Sequence, residues 1–196
     1  MMKKSEVRQK IKTLKSETLT DTLIEKWSEQ AVQRLLVRLQ ACPDSRISLF
    51  LSMPNEIQTG RLIQFLLAEG RHQLLLPRVE GKRIMNFYSY NGDPAELKLS
   101  SYQIWEPTAP KEEALVPEIM IMPGVAFDSI GGRVGHGGGF YDTYLSKHQD
   151  EIKLTIGFAY HFQVLDHPVP RMDHDVLIQE LVTDQEHFIF STDQKG

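Results

Sequence analysis

The sequence predicts a three-layer α/β/α fold built on a largely parallel central sheet. Three observations carry this expectation. Short, nearly continuous apolar runs alternate with longer segments of helical period, as when buried strands are joined by crossover helices. The loops with unusual composition all follow strands: Ser52–Glu56, Pro77-Arg78, Pro123–Gly139 and Tyr160–Asp175. Finally, seven of the thirteen glycines crowd into Gly124–Gly139, between an apolar run and a helix-like segment. Ligands of such sheets sit beyond the carboxyl ends of the strands, where these loops would gather.

The first helix is expected over Lys3–Lys15, with Val7, Ile11 and Leu14 on one face and Lys4, Arg8, Lys12 and Lys15 in a basic stripe beside it. The second spans about Asp21–Gln40. Leu23, Trp27, Ala31, Leu35 and Leu39 recur every fourth residue, Thr20 is a natural N-cap, and Cys42-Pro43-Asp44 ends it. Ile47–Leu51 reads as a strand covered on both faces, and Thr59–Glu69 as a helix stopped by Gly70. Strands follow at His72–Leu76, ended by Pro77, and at Arg83–Tyr90, with an Asn91-Gly92-Asp93 turn behind it. Residues 93–117 are proline-punctuated and weakly periodic, so mostly irregular connection with a short strand is expected. The remaining elements are a strand at Ile119–Met122, a helix at Gly139–His148, and strands at Leu154–Tyr160 and Leu177–Val182, after which Thr183 caps a short final helix.

Composition narrows the class. A chain of 196 residues, 41% hydrophobic and 24% charged, suits one domain over 1–196 with a substantial core, and two would be crowded. The net charge of −4 argues against a nucleic-acid partner, as does the lack of an aromatic-basic sheet motif. The single cysteine, Cys42, excludes an internal disulfide and a thiolate metal cage. No apolar run approaches membrane length and the amino terminus lacks a signal-peptide core, so no membrane partner and a cytoplasmic location are expected. A monomer is the expected state, with a dimer as the alternative.

The glycine run places backbone N–H groups at the mouth of a helix without Cβ obstruction, which is what an anion site requires; a glycine-rich surface turn is the competing reading. It is neither of the standard nucleotide loops. No Gly-x-x-x-x-Gly-Lys-Ser/Thr occurs, and Gly135, Gly137, Gly138 and Gly139 do not give Gly-x-Gly-x-x-Gly. His161, His167, His174 and His187 have no recognisable metal spacing, and no serine-nucleophile elbow is present.

The run Pro123-Gly124-Val-Ala-Phe127-Asp128, continued by Gly132-Arg133-Val-Gly135-His-Gly137-Gly-Gly139-Phe-Tyr141-Asp142, closely resembles the signature of the 5-formyltetrahydrofolate cyclo-ligases. The resemblance extends along nearly the whole chain. It includes Lys4-Ser-Glu-Val-Arg8, Ile47–Ile57, Pro77-Arg78, Gly157-Phe-Ala-Tyr160, Gln163, Val169-Pro170, Asp173-His174-Asp175 and Val182-Thr183. It implies a reaction in which ATP phosphorylates the formyl oxygen of 5-formyltetrahydrofolate, N10 attacks the activated carbon, and 5,10-methenyltetrahydrofolate forms with ADP and phosphate. Such a transfer is driven by positioning and charge neutralisation, through cations, backbone donors and a metal.

The resemblance also implies roles. ATP would be held by Lys4, Ser5, Glu6, Val7 and Arg8, and by Arg133, Val134, Gly135, His136, Gly137, Gly138, Gly139, Phe140 and Tyr141; Lys4, Arg8 and Arg133 would act in catalysis. Lys4 and Arg8 lie one helical turn apart and can face one polyphosphate, although a solvated basic face is the ordinary reading and is kept for Lys12 and Lys15. Arg133 either grips phosphate in bidentate fashion or is a turn residue held by a nearby carboxylate. Asp142 and Asp175 would hold Mg²⁺, with Asp173 a rival to Asp175. Folate would meet Glu56, whose carboxylate suits ring N–H donors, together with Leu51, Met53, His136, Gly137, Gly138, Gly139 and Phe140; for Leu51, Met53, Phe140 and Tyr141, core packing is the alternative. Two positions depart from the pattern. Gly138 stands where relatives often carry lysine or glycine, which leaves the loop without a lysine, so Arg133, Lys4 and Arg8 must supply more of the charge, and Gln179 stands where many carry an acid. The rival readings are a non-catalytic nucleotide- or folate-binding relative, or another enzyme on a similar fold, such as a sugar-phosphate isomerase or a CoA-ester transferase.

Overall fold

Apolar alternation along the strands sorts the core into two layers. In the computed structural model, which describes residues 2–101 and 103–190, Ile119–Met122 is a fully buried strand. Its Ile119 and Ile121 belong to one core and Met120 and Met122 to the other. That is the period-two signature of a strand packed on both faces.

The central sheet has seven strands: β1 (Arg46–Ser48), β2 (Gln73–Gly81), β3 (Ile84–Ser89), β6 (Ile119–Met122), β9 (Leu154–Phe158), β11 (Glu180–Val182) and β12 (His187–Ile189). Their spatial order is β12-β11-β9-β6-β1-β2-β3. The four inner pairings are parallel, and the two edge pairings, β2 with β3 and β11 with β12, are antiparallel. Helices α2 (Asp21–Gln40) and α3 (Gly60–Glu69) cover one face, burying Leu35, Leu39, Leu62 and Leu66 against Ile47, Leu74, Ile121 and Ile156. The other face is covered by α4 (Phe140–Lys147), through Tyr144 and Leu145, and by Phe127. The expected three-layer arrangement with a largely parallel sheet is therefore the observed one.

Several boundaries move, each for a local reason. Helix α1 runs Lys4–Thr18, three residues beyond its expected end. Thr20 caps α2 as expected, its hydroxyl accepting from Leu23 N–H at 3.3 Å, and Gly70 ends α3 in the left-handed conformation at φ 68°. Pro77 does not end its strand. Leu49 N–H donates to Leu75 O, so by alternation Pro77 also turns its missing N–H toward the β1 side, where β1 has already ended opposite Leu75. Residues 93–117 hold a two-stranded antiparallel pair, β4 (Leu97–Leu99) and β5 (Trp105–Pro107). Thr183 caps a tight turn rather than a helix. Its hydroxyl accepts from Gln185 and Glu186 N–H, its own N–H donates to Glu186 O, and the chain returns as β12.

A third core lies under α1. Strands β7 (Ala126–Asp128), β8 (Arg133–Val134) and β10 (Val164–Leu165) form a small sheet in the order β10-β7-β8. Val7 and Ile11, both fully buried, pack on its Ala126, Val134 and Leu165. The glycine run is thus partly a hairpin, and α1 is the lid on it.

Candidate functional site at the carboxyl edge of the sheet

The hairpin is braced by a buried carboxylate. Asp128 Oδ1 accepts from Ile130 N–H (3.0 Å) and Gly132 N–H (2.7 Å), and Oδ2 accepts from Val169 N–H (2.8 Å). Gly132 must be glycine here, since a Cβ would sit 2.3 Å from Asp128 Oδ2. The brace delivers Arg133, whose side chain is only 3% exposed. Its Nη2 donates to Asp142 Oδ2 at 3.0 Å and its Nη1 to Pro123 O at 3.2 Å. Its Nε is buried with no hydrogen-bond partner among the described residues. Tyr141 lies beneath the guanidinium at 5.5 Å; burial pushes the phenol pKa well up, and Arg133 pulls it back.

The N-terminal cations reach the same loop. Lys4 Nζ donates to Asp175, at 2.6 Å to Oδ1. Burial pushes the Asp175 carboxyl up, but hydrogen bonds from Lys4 and Met172 N–H outweigh it and hold the pKa below the ordinary value. Arg8 Nε donates to Gly135 O at 2.8 Å, and its guanidinium carbon lies 3.5 Å from where a Gly137 Cβ would stand. Gly137 (φ 112°) and Gly139 (φ 70°) occupy the left-handed region, which favours glycine. Gly138 leaves room for the Phe140 ring, 2.5 Å from its absent Cβ.

Glu56, buried, closes the arrangement. It accepts from Met53 N–H (3.0 Å) and pairs through Oε1 with His136 Nε2 (2.9 Å), while Tyr160 O–H fixes its carbonyl. The structure thus brings Lys4, Arg8, Glu56, Arg133, His136, Asp142 and Asp175 to one loop. Each predicted metal carboxylate is ion-paired with a predicted phosphate cation. Of the two rival aspartates, Asp175 stands in the site and Asp173 is solvent-exposed.

Other predicted residues are differently placed. Val7 and Val134 are fully buried, leaving only backbone to offer a nucleotide. Ser5 and Glu6 face solvent, and Glu6 accepts from Lys3 N–H at the helix start. Leu51 packs on the first core and Met53 is half-buried, while Phe140 and Tyr141 pack on the second core. Gln179 has a structural task, accepting from Thr155 N–H at 2.8 Å across β9 and β11.

Two further cations, neither expected in the site, lie near it. Arg83, exposed in the β2–β3 turn at φ 59°, holds its Nε 3.6 Å from the position of a Gly139 Cβ; only the hairpin's return brings it there. Lys15, read as solvated, is half-buried and lines a narrow crevice with Glu56, Phe50, Ile57, Gly124 and Phe158. The helical period did carry that signal. At about 100° per residue, Lys15 falls between Lys4 and Arg8 on α1, whereas Lys12 lies further round.

Fold and site together define an open α/β-sheet protein with a basic, glycine-rich crevice at the sheet's carboxyl edge. Residues 1–184 match the model of the 5-formyltetrahydrofolate cyclo-ligase family. The chain is 31% identical to the Haemophilus influenzae 5-formyltetrahydrofolate cyclo-ligase, covering 92% of this chain and 97% of that protein. It is 28% identical to the mouse protein of the same name, over 91% of this chain and 90% of that one. The NMR structure of Aquifex aeolicus 5,10-methenyltetrahydrofolate synthetase superposes with a TM-score of 0.78 at 28% identity, over 100% of this chain and 96% of that one. The chain belongs to the 5-formyltetrahydrofolate cyclo-ligase family.

Proposed function

We propose that this chain, as one domain, converts 5-formyltetrahydrofolate and ATP to 5,10-methenyltetrahydrofolate, ADP and phosphate. The observation that carries this reading is the convergence on one glycine loop of three cations, two carboxylates and the Glu56–His136 pair. Polyphosphate would lie between α1 and the loop, meeting Lys4, Arg8, Arg133 and the N–H groups of Gly135–Gly139. Lys4 and Arg133 are already paired, so phosphate oxygens would take over those cations and free Asp175 and Asp142. Among the described residues no cluster of three or more His, Cys, Asp or Glu side chains could hold a metal alone. Mg²⁺ needs no such cluster, since it takes one or two carboxylates and draws further ligands from phosphate and water. Asp142 and Asp175 would hold it, and when bound it would supply charge neutralisation at the phosphates.

Glu56 would accept the ring N–H donors of the folate and orient its formyl group toward the loop. The formyl oxygen takes the γ-phosphoryl group as the bond to ADP breaks. N10 then bonds to the formyl carbon, the carbon–oxygen bond breaks, and phosphate departs with the N10 proton. Arg8 and Arg133 would stabilise charge on the transferring group, which is where positioned cations act most strongly. The test is formation of the methenyl product from 5-formyltetrahydrofolate with and without Mg·ATP. Product that does not depend on ATP, or none at all, contradicts the reading. For Arg133→Ala, weakened ATP binding is expected, and unchanged affinity would remove its phosphate role.

A further inference from the structure

Lys15 is half-buried, yet among the described residues it makes no direct side-chain hydrogen bond or ion pair. It lies on the same face of α1 as Lys4 and Arg8, about 10 Å further along the axis than Arg8 at 1.5 Å per residue. Its side chain turns into the crevice formed with Phe50, Glu56, Ile57, Phe158 and Gln163. Burial pushes its pKa below the ordinary lysine value, and the Glu56 carboxylate pulls it back up. A half-buried lysine loses hydration, and here only the charge of Glu56 offsets that loss; Lys12, on the same helix, remains exposed.

Lys15 and Glu56 line the same narrow crevice, one a donor and the other an acceptor. Each Glu56 oxygen has one protein partner, Met53 N–H on Oε2 and His136 on Oε1. A carboxylate oxygen has about two acceptor sites, so both remain able to accept once more. A ligand edge that fits would present N–H donors to Glu56 and, next to them, a carbonyl to Lys15. The lactam edge of a 4-oxo-pteridine has this order: 2-amino, N3–H, then O4. A carboxylate tail would put like charges beside Glu56, which disfavours it.

We propose that Lys15 is a specificity-determining residue that donates to the 4-oxo group of the bound pteridine while Glu56 accepts from the adjacent ring N–H groups. This rests on the folate reading above and deepens it. Lys15 reads the 4-oxo group, which lies peri to the N5 position that carries the formyl group, and so sets which pteridines are accepted.

The test is a binding comparison without ATP, using 5-formyltetrahydrofolate and its 4-amino-4-deoxy counterpart against wild type, Lys15→Met and Lys15→Gln. A hydrogen bond to a charged donor predicts that Lys15→Met weakens the 4-oxo ligand by roughly tenfold to a hundredfold. The 4-amino ligand should change by less than about twofold, since it has no carbonyl there to lose. Lys15→Gln, which keeps an N–H donor, should fall between and serves if the methionine variant does not fold. Equal weakening of both ligands, or of neither, overturns the proposal. So does an effect that disappears when the glutamate tail is removed from the ligand, because the ammonium would then be reading the tail. Wild-type protein that binds neither ligand overturns the folate reading itself, before any variant is compared.

Discussion

Asp128 is where a single substitution should report on both fold and site. Its carboxylate accepts three backbone N–H groups, and the bonds to Gly132 and Val169 are fully buried. Alanine leaves those two donors without partners, at about 1–3 kcal/mol each. A loss of about 3 kcal/mol is a moderate figure for the pair. For a chain of this length each kcal/mol lowers Tm by about 2–4 °C, so Asp128→Ala should melt roughly 6–12 °C early. Asparagine keeps the Oδ1 bonds and turns an amide against Val169 N–H, so its shift should be about half as large. Gly132 adjoins Arg133, so slackening the hairpin should also lower turnover at 25 °C, where both variants remain folded. Calorimetry and an ATP-dependent turnover assay read the two effects. An alanine variant that melts within about 2 °C of wild type, with turnover intact, would refute the claim that this carboxylate holds the loop.

Three further outcomes are expected. Gly157→Ala places a Cβ 2.7 Å from both Ile178 Cδ1 and Phe127 Cε1, so chemical unfolding should show a loss of about 1–3 kcal/mol from overpacking; no change would mean that the second core is looser than its contacts indicate. Asp142→Ala should abolish turnover while the circular dichroism spectrum is retained, and full activity would remove Asp142 from the proposed metal site. Burial pushes the Glu180 carboxyl up, but hydrogen bonds from Arg38 (2.7 and 2.8 Å) and His187 (2.8 Å) outweigh it and hold its pKa below the ordinary 4.5. A depressed folded pKa means stabilisation that is present above pH 4.5 and lost as pH falls through the lower folded value. Glu180→Gln should therefore flatten the acid limb of stability against pH, and an unchanged limb would exclude Glu180 as its source.

The elements most legible in the sequence were those whose own periodicity is strong. Helix α2, with its Thr20 cap, lies at its expected bounds, and Ile119–Met122 is the strand its composition implies. What escaped was short or made by distant partners. Strand β8 has two residues and exists because Ala126 and Phe127 pair with it, while the β11–β12 return depends on Thr183 binding backbone three residues on. The site shows the same division. The cations and carboxylates were visible by type, but their pairing, Lys4 with Asp175 and Arg133 with Asp142, spans 171 and 9 residues, and no local pattern encodes it. The angle of Lys15 on α1 matches Lys4 and Arg8 better than that of Lys12, and that placement is legible in the sequence.

The most direct test of the central claim is single-enzyme conversion of 5-formyltetrahydrofolate, monitored through the methenyl chromophore as Mg·ATP is added. Product is expected only when ATP is present, with one ADP released per methenyl group formed. Chromophore that appears without ATP, or ADP released without chromophore, would contradict that claim.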